Sequence, residues 1–241
     1  LSCMLSHACI PPSFGVSTVI PIPKNRKKSM NVSSNYRGIA LSSILGKIMD
    51  HVFLLNCSEE LGSSCHQFGF KSGHSTHMCS FVVNEIACHF LNNNSSVYCT
   101  LLDATKAFDR IEYVKLFERL IARGLCPIIC RFLVCLYTHQ RVRVRWGSTV
   151  RREFSCLNGV KQGAVISPIL FSMYIDVLIN RLQNSGVGCH INNVFCGAFA
   201  YADDIIIMSP TLKSTEMLLS ICEDFGKEYN VMFNPMKSKL I

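Results

Sequence analysis

The stretch "FAYADDIII" occupies Phe199–Ile207. Two adjacent aspartates, Asp203 and Asp204, sit between apolar runs. Adjacent carboxylates repel, and apolar flanks are normally buried, so the pair needs a physical reason. Read as strand, tight turn and strand, the wider segment "VFCGAFAYADDIIIMS" puts both aspartates at the tip of a hairpin. A second apolar and β-prone run, Val97 to Leu102, ends at Asp103. Pairing of that strand with the hairpin would bring three carboxylates to one edge of a sheet. Left alone, such a cluster is costly in desolvation and repulsion, and a divalent cation removes the cost. Oxygen ligands with no nearby His or Cys favour a hard ion, Mg²⁺ or Mn²⁺. Two such ions suit in-line displacement at phosphorus.

Working outward, "STVIPIPK" (Ser17 to Lys24) reads as a strand followed by a basic loop containing Arg26, Lys27 and Lys28. "SSILGKIMDHVFLLNCSEEL" reads as a helix capped by Ser42 or Ser43, with Ile44, Ile48 and Leu55 on one face. "HSTHMCSFVVNEIACHFL" reads as another helix, and "NNNSS" (Asn92 to Ser96) as a polar seam. Ile111, Val114, Phe117 and Ile121 follow at helical spacing up to Gly124, with Asp109 and Glu112 resembling a capping box. "RVRVRW" alternates, so a strand would present Arg141, Arg143 and Arg145 on one face. Ser167 and Pro168 read as the cap and first residue of a helix. "TLKSTEMLLSICEDFGKEY" reads as a last helix, and "VMFNPMKSKLI" as a short strand or turn. Long helices interrupting pairs of strands favour an α+β fold.

The 241 residues suffice for one large domain or two packed lobes, and 49% are hydrophobic. A net charge of +8 points to an acidic partner, with a polyanion favoured. The 14 cysteines form no C-x-x-C pair and sit mostly in apolar stretches. They read as reduced, mostly buried thiols of an intracellular protein of the cytoplasm or nucleus, with no disulfide partner. Cys126, Cys130 and Cys135 read as core, not metal. No membrane span is expected.

Each candidate has a plainer reading. Asp109 is more simply a cap than a ligand, and Asp50, Asp176 and Asp224 are solvated or hydrogen-bonded helix residues. One aspartate of "ADD" alone could be a turn residue. Only the combination with Asp103 points to metal.

The ordered set is more specific than any one motif. "STVIPIPK", "NYRGIALSSILGKIMD" and "HQFGFKSGHSTHMCSF" are followed by "LLDATKAFD", "NGVKQGAVISPILFSMYID", "FAYADD" and "NPMKSK". In this order they resemble the motifs of reverse transcriptases, and among them those of non-LTR (LINE-type) retrotransposons. The resemblance runs from about Ser17 to Lys239. It implies a right-hand polymerase with an antiparallel palm sheet flanked by helices. Residues 1–96 would be mainly fingers and 97–241 mainly palm, with part of 125–155 associated with the fingers. It also implies DNA synthesis on an RNA template from a DNA primer and dNTPs.

Roles then carry over by position. Asp103, Asp203 and Asp204 match the metal-binding carboxylates, and the carbonyl of Ala104 a further ligand to one of two Mg²⁺ or Mn²⁺ ions. Phe108 matches the bulky residue that crowds a ribose 2′-hydroxyl; it also reads as a core aromatic. Lys24 and Arg37 match residues gripping the triphosphate, and Arg offers phosphate a fork where Lys offers a point charge. Gln162 and Gly163 match the segment that approaches nucleotide and template, with Lys161 beside them as a phosphate contact. Tyr201 matches a residue at the primer end, or is a strand aromatic. Lys237 matches a candidate general acid for pyrophosphate. The face of Arg141, Arg143 and Arg145 either tracks a nucleic-acid backbone or is solvated.

Two departures touch none of the carboxylates. Gly38 stands where many relatives have proline, and Ala164–Val165 where Cys-Pro is common. No thumb is recognised after "NPMKSK" and no endonuclease before the fingers, so primer extension by this chain alone is expected to be weak or absent. A truncated, inactive retroelement remnant that binds nucleic acid, and a group II intron-like reverse transcriptase, are the alternatives.

Overall fold

The structure, a computed structural model, describes residues 2–27 and 29–241. Lys28 of the expected basic loop lies outside the described residues, while Arg26 and Lys27 are exposed. In chain order the helices are α1 (Ser2–His7), α2 (Pro12–Gly15), α3 (Ile44–Asn56), α4 (Thr76–Asn92), α5 (Tyr113–Ala122), α6 (Pro127–Thr138), α7 (Ser167–Asn184) and α8 (Leu212–Glu228). The strands are β1 (Val16–Pro23), β2 (Tyr36–Leu41), β3 (Tyr98–Asp103), β4 (Arg141–Trp146), β5 (Thr149–Val150), β6 (Phe154–Ser155), β7 (His190–Ile191), β8 (Val194–Phe195), β9 (Ala198–Tyr201), β10 (Asp204–Ser209) and β11 (Lys239–Leu240). The mixture of helix and sheet is the α+β class expected.

The elements form two compact units that interleave in sequence. The first comprises Leu1–Leu61 and Glu112–Leu170, the second Gly62–Ile111 and Phe171–Ile241. The polar seam at Asn92 to Ser96 lies inside the second unit, between α4 and β3.

The first unit is built on a sheet of order β2-β1-β4-β5, with β6 also paired to β4. β1 runs antiparallel to β2 and parallel to β4. β4 pairs only with Val16 to Val19, so Pro21 and Pro23 fall where β1 has a single neighbour. A missing N–H is tolerated there. Helix α3 starts at Ser43, whose side chain accepts a hydrogen bond from the Gly46 amide. Ile44, Ile48 and Leu55 do share a face, but it is the solvent face. The buried residues are Met49, Asp50 and Phe53, the last edge-on to Phe132 at 5.6 Å. Apolar residues cover more than half the circumference of α3, so periodicity alone could not say which of them meet the core. In α5, Phe117 is buried as expected alongside Tyr113, Leu116 and Leu120, but Val114 and Ile121 are exposed.

Two expected caps are replaced. Lys106, with φ 51°, opens a separate 3₁₀ turn, Ala107–Arg110, so α5 begins only at Tyr113. Its N-cap is Glu112, which makes no side-chain cap bond, and Asp109 lies inside the 3₁₀ turn and not at the start of α5. Ser167 is the first residue of α7 and not its cap.

The second unit is an antiparallel sheet of order β11-β3-β10-β9, with α4, α8 and most of α7 in the same unit. Phe171, Tyr174, Ile175 and Phe225 are fully buried in it. Phe68, Ile86, Phe199 and Met208 form a second cluster with Cys189 and Cys196. The cysteines are free thiols, and they divide more evenly than expected. Cys3, Cys9, Cys65, Cys88 and Cys126 are exposed. In the expected core trio only Cys130 is buried, because Cys126 sits ahead of α6 at its N-cap and Cys135 lies half-way out. No helix among the described residues is long and apolar enough to cross a membrane.

Candidate active site

The site is assembled by register. β10 pairs antiparallel with β3 so that Asp204 lies opposite Asp103 and Ile205 opposite Leu102. Across the hairpin, Asp204 faces Tyr201, leaving Ala202 and Asp203 as the turn. Ile205, Ile207 and Met208 are buried to 1% exposure or less, which fixes β10 and leaves Asp204 exposed at its rim. Asp103 and Asp203 are half-buried. Ala202 takes a left-handed φ of 58°, which turns the chain between the two strands.

Partial burial raises the Asp204 carboxyl above its ordinary range, and the charges of Asp203 and Asp103 raise it further. Lys237 opposes this shift. Its Nζ donates to both carboxylate oxygens of Asp103, at 2.8 and 3.0 Å. A compact turn aims it there. The Asn234 amide donates to the Asp103 carbonyl at 2.8 Å, and the Lys237 amide to the Asn234 carbonyl at 3.1 Å. β11 then pairs with β3, Lys239 opposite Leu101. Sequence reasoning proposed Lys237 for pyrophosphate and missed this ion pair with Asp103. The two residues are 134 apart in the chain, so no local pattern gave a sign of it.

Ala104 is buried and bridged to Phe233, continuing the backbone beyond β3. Phe108 is half-buried, stacked on Phe171 at 4.8 Å and edge-on to Phe70 at 6.0 Å. Its ring thus packs against two others at the edge of the core and is half-exposed. Tyr201 is half-buried against the Phe68–Phe199 cluster, as a strand aromatic would be.

Among the described residues no group of three or more His, Cys, Asp and Glu side chains is gathered into a metal cage. The donor set nonetheless fits a hard cation. It is oxygen only, and the charges of Asp203 and Asp103 raise the proton affinity of Asp204, a repulsion that a divalent ion relieves.

The remaining candidates lie in the first unit. Lys24 follows β1 and Arg37 lies on β2; the intervening pair is Pro23 opposite Tyr36, so both are at the same end of one hairpin. Arg37 is exposed, while Lys24 Nζ donates to the Ser34 carbonyl at 3.0 Å. Arg141, Arg143 and Arg145 are exposed on one face of β4, with Val142 buried on the other. Arg143 Nε donates to Thr18 Oγ1 at 2.9 Å, and Arg141 lies 4.0 Å from Glu153.

The Gln162–Gly163 loop is tied to β2, since the Ala40 amide donates to the Gln162 carbonyl at 2.7 Å. Gly163 has φ 114°, and a Cβ there would come within 2.7 Å of the Ala40 carbonyl oxygen. Only glycine fits both conditions. Asp50, read from sequence as a solvated or hydrogen-bonded residue, is buried and anchors this loop. Its Oδ2 accepts from the amides of Val165 at 3.1 Å and Ile166 at 3.4 Å, just ahead of α7. Burial raises the Asp50 carboxyl and lowers the Lys161 ammonium, and each charge offsets part of the other's shift. Lys161 therefore faces a carboxylate within its own unit. One signal for Asp50 existed: an acid inside the apolar helix "ILGKIMDHVF".

A family model described as reverse transcriptase (RNA-dependent DNA polymerase) matches residues 22–241. The chain belongs to the reverse transcriptase family. The domain is 25% identical to the Pol polyprotein of the type-2 retrotransposable element R2DM of Drosophila melanogaster, over 90% of this chain and 20% of that protein. It is 26% identical to a putative 115 kDa protein of the type-1 element R1DM of the same fly, over 96% and 22%. The RNA-directed DNA polymerase of the mobile element jockey of Drosophila funebris is also 26% identical, over 94% and 25%. The reverse transcriptase domain thus spans about a fifth to a quarter of these relatives, and it is of the LINE type. Its fold resembles Candida tropicalis telomerase in complex with a fragment of telomeric RNA. That likeness has a TM-score of 0.67 at 12% identity, over 96% of this chain and 41% of that one.

Proposed function

We propose that this domain is the RNA-directed DNA polymerase module of a LINE-type element, extending a DNA primer on an RNA template by nucleotidyl transfer. The observation that carries the reading is the register of Asp204 opposite Asp103, with Asp203 in the adjoining turn. Asp103, Asp203, Asp204 and the Ala104 carbonyl would hold two Mg²⁺ or Mn²⁺ ions. When bound, such ions activate the primer 3′-hydroxyl and neutralise charge on the leaving pyrophosphate.

The protein's own contribution is positioning and charge. Lys237 holds the Asp103 carboxylate in one orientation and keeps a proton donor at the sheet edge. The Phe108 ring, backed by Phe171, excludes a ribose 2′-hydroxyl from the space beside the site. Arg37, exposed on β2, and Lys24 beyond β1 supply positive charge for triphosphate oxygens. Gly163, packed against the Ala40 carbonyl, holds the Gln162 loop in place for contact with nucleotide or template. The exposed arginines of β4 suit a phosphate backbone.

Primer extension on poly(rA)/oligo(dT) with Mg²⁺ or Mn²⁺ tests the reading, against an Asp203→Ala/Asp204→Ala control. Extension lost in the control supports it. Extension that persists in the control refutes the assignment of these carboxylates, and template binding with no extension by the parent chain favours an inactive remnant.

A further inference from the structure

The hairpin tip has an unusual construction. Ala202 is not glycine, yet it holds a left-handed φ of 58° next to two like charges. Such a backbone costs about 1 kcal/mol or more, and the charge of Asp203 and Asp204 adds repulsion. Ala202 also lies beyond the last β9–β10 pair, so the ladder does not bond its peptide groups. Something outside the hairpin must hold it.

That something is the segment His66 to Gly69, which runs along the outer edge of β9. The Ala200 amide donates to the His66 carbonyl at 2.9 Å, and the Phe68 amide to the Ala200 carbonyl at 2.8 Å. Between them Gln67 is fully buried and bridged in parallel to Ala200. Its Oε1 accepts from the Ala202 amide at 3.0 Å and from the Gly69 amide at 2.8 Å. Its Nε2 donates to the Ala202 carbonyl at 3.4 Å. One side-chain amide thus satisfies both polar groups of the turn residue. Gly69 completes the fit, because a Cβ there would overlap the Ala202 backbone nitrogen. His66 fixes the other end through a ring nitrogen 3.1 Å from the Phe195 carbonyl, and Phe68 packs edge-on to Phe199.

We propose that Gln67, with Gly69, is the positioning residue for the Ala202–Asp203 turn, presenting Asp203 and Asp204 to the metal ions at the rim of β3 and β10. The inference rests on the metal reading given above. The chemistry explains the residue type. A glutamine offers donor and acceptor in one neutral group. A glutamate would add another negative charge beside the aspartates, and a lysine or arginine has no acceptor for the Ala202 and Gly69 amides. Gln67 touches neither substrate nor metal; it acts through the Ala202 peptide.

The test uses the full chain and Mn²⁺ alone as ligand, so it does not depend on polymerase activity. Gln67→Met, Gln67→Glu and Asp204→Asn are compared with Leu218→Ala, a core truncation on α8 that lowers stability without touching the turn. Two quantities are measured: exchange of the Ala202 amide by NMR, and Mn²⁺ affinity by electron paramagnetic resonance. The expected result for Gln67→Met is about tenfold or faster exchange at Ala202 and Mn²⁺ binding weakened about ten- to a hundredfold. Gln67→Glu, which keeps the acceptor, retains the Ala202 protection. Leu218→Ala changes neither quantity selectively. The proposal is overturned if Gln67→Met leaves Ala202 as protected as in Leu218→Ala, or loosens it without weakening Mn²⁺. Mn²⁺ binding that Asp204→Asn leaves intact instead refutes the metal reading itself, while Ala202 exchange still reports whether Gln67 holds the turn.

Discussion

Asp204 of β10 lies directly opposite Asp103 of β3, two carboxylates from distant parts of the chain brought to one rung of an antiparallel ladder. Their repulsion is part of why the Asp204 carboxyl sits above its ordinary value of 3.8. The folded state therefore binds the Asp204 proton more tightly than the unfolded one. Its contribution to stability falls as pH rises through and above that value. Without metal, the stability of Asp204→Asn relative to the parent should rise between pH 3 and pH 7. Thermal denaturation of both proteins checks this; Asp50, whose carboxyl is also raised, is common to the pair. Adding Mg²⁺ should stabilise the parent and not the variant.

Lys237 bonds both oxygens of Asp103, yet its side chain is 63% exposed. An exposed pair of this kind contributes about 1 kcal/mol or less and is screened by salt. Lys237→Met should therefore cost little stability while reducing primer extension by about a hundredfold. Urea denaturation alongside single-nucleotide extension separates the two effects. A stability loss as large as the catalytic one would make Lys237 a structural residue only.

Asp50 is buried, receives two loop amides and faces Lys161. Asp50→Ala should destabilise the chain by about 2–4 kcal/mol, because it strands both amides and a half-buried ammonium. Asp50→Ala/Lys161→Met should recover part of that loss. Chemical denaturation of the single and double variants measures the coupling; strict additivity would contradict it.

At Gly163 both φ and space forbid a side chain. Gly163→Ala should cost more than about 1 kcal/mol and shift the Gln162 carbonyl away from the Ala40 amide. The loss of nucleotide affinity should exceed the loss of turnover, read as KM against kcat for dNTP.

Phe108 is held against Phe171 by stacking. Phe108→Ala should raise ribonucleotide relative to deoxynucleotide incorporation by about tenfold or more, at a stability cost of about 2 kcal/mol. Incorporation of a single rNTP or dNTP opposite a defined template base gives the ratio.

The sequence by itself determined the local facts: the β-prone run ending at Asp103, the "ADD" turn between apolar strands, and a serine cap at Ser42 or Ser43, of which the structure uses Ser43. Alternation in "RVRVRW" was enough to put its arginines on one face, because strand period two is set by covalent geometry. The family motifs were legible for the same reason, each being a short contiguous string. Tertiary structure decided what depends on contacts between distant residues. Apolar residues cover more than half the circumference of α3, so only packing, with Phe53 against Phe132, settled that Met49 and Phe53 face inward while Ile44 and Leu55 do not. From sequence, Asp50 reads as a helix acid, Gln67 only as part of the string "HQFGFKSGHSTHMCSF", and Lys237 as a candidate general acid for pyrophosphate. Their partners lie about 100 residues or more away along the chain: Val165 for Asp50, Ala202 for Gln67 and Asp103 for Lys237. A buried hydrogen bond has no signature in the local pattern of either partner, since what it satisfies is the other segment's unpaired group.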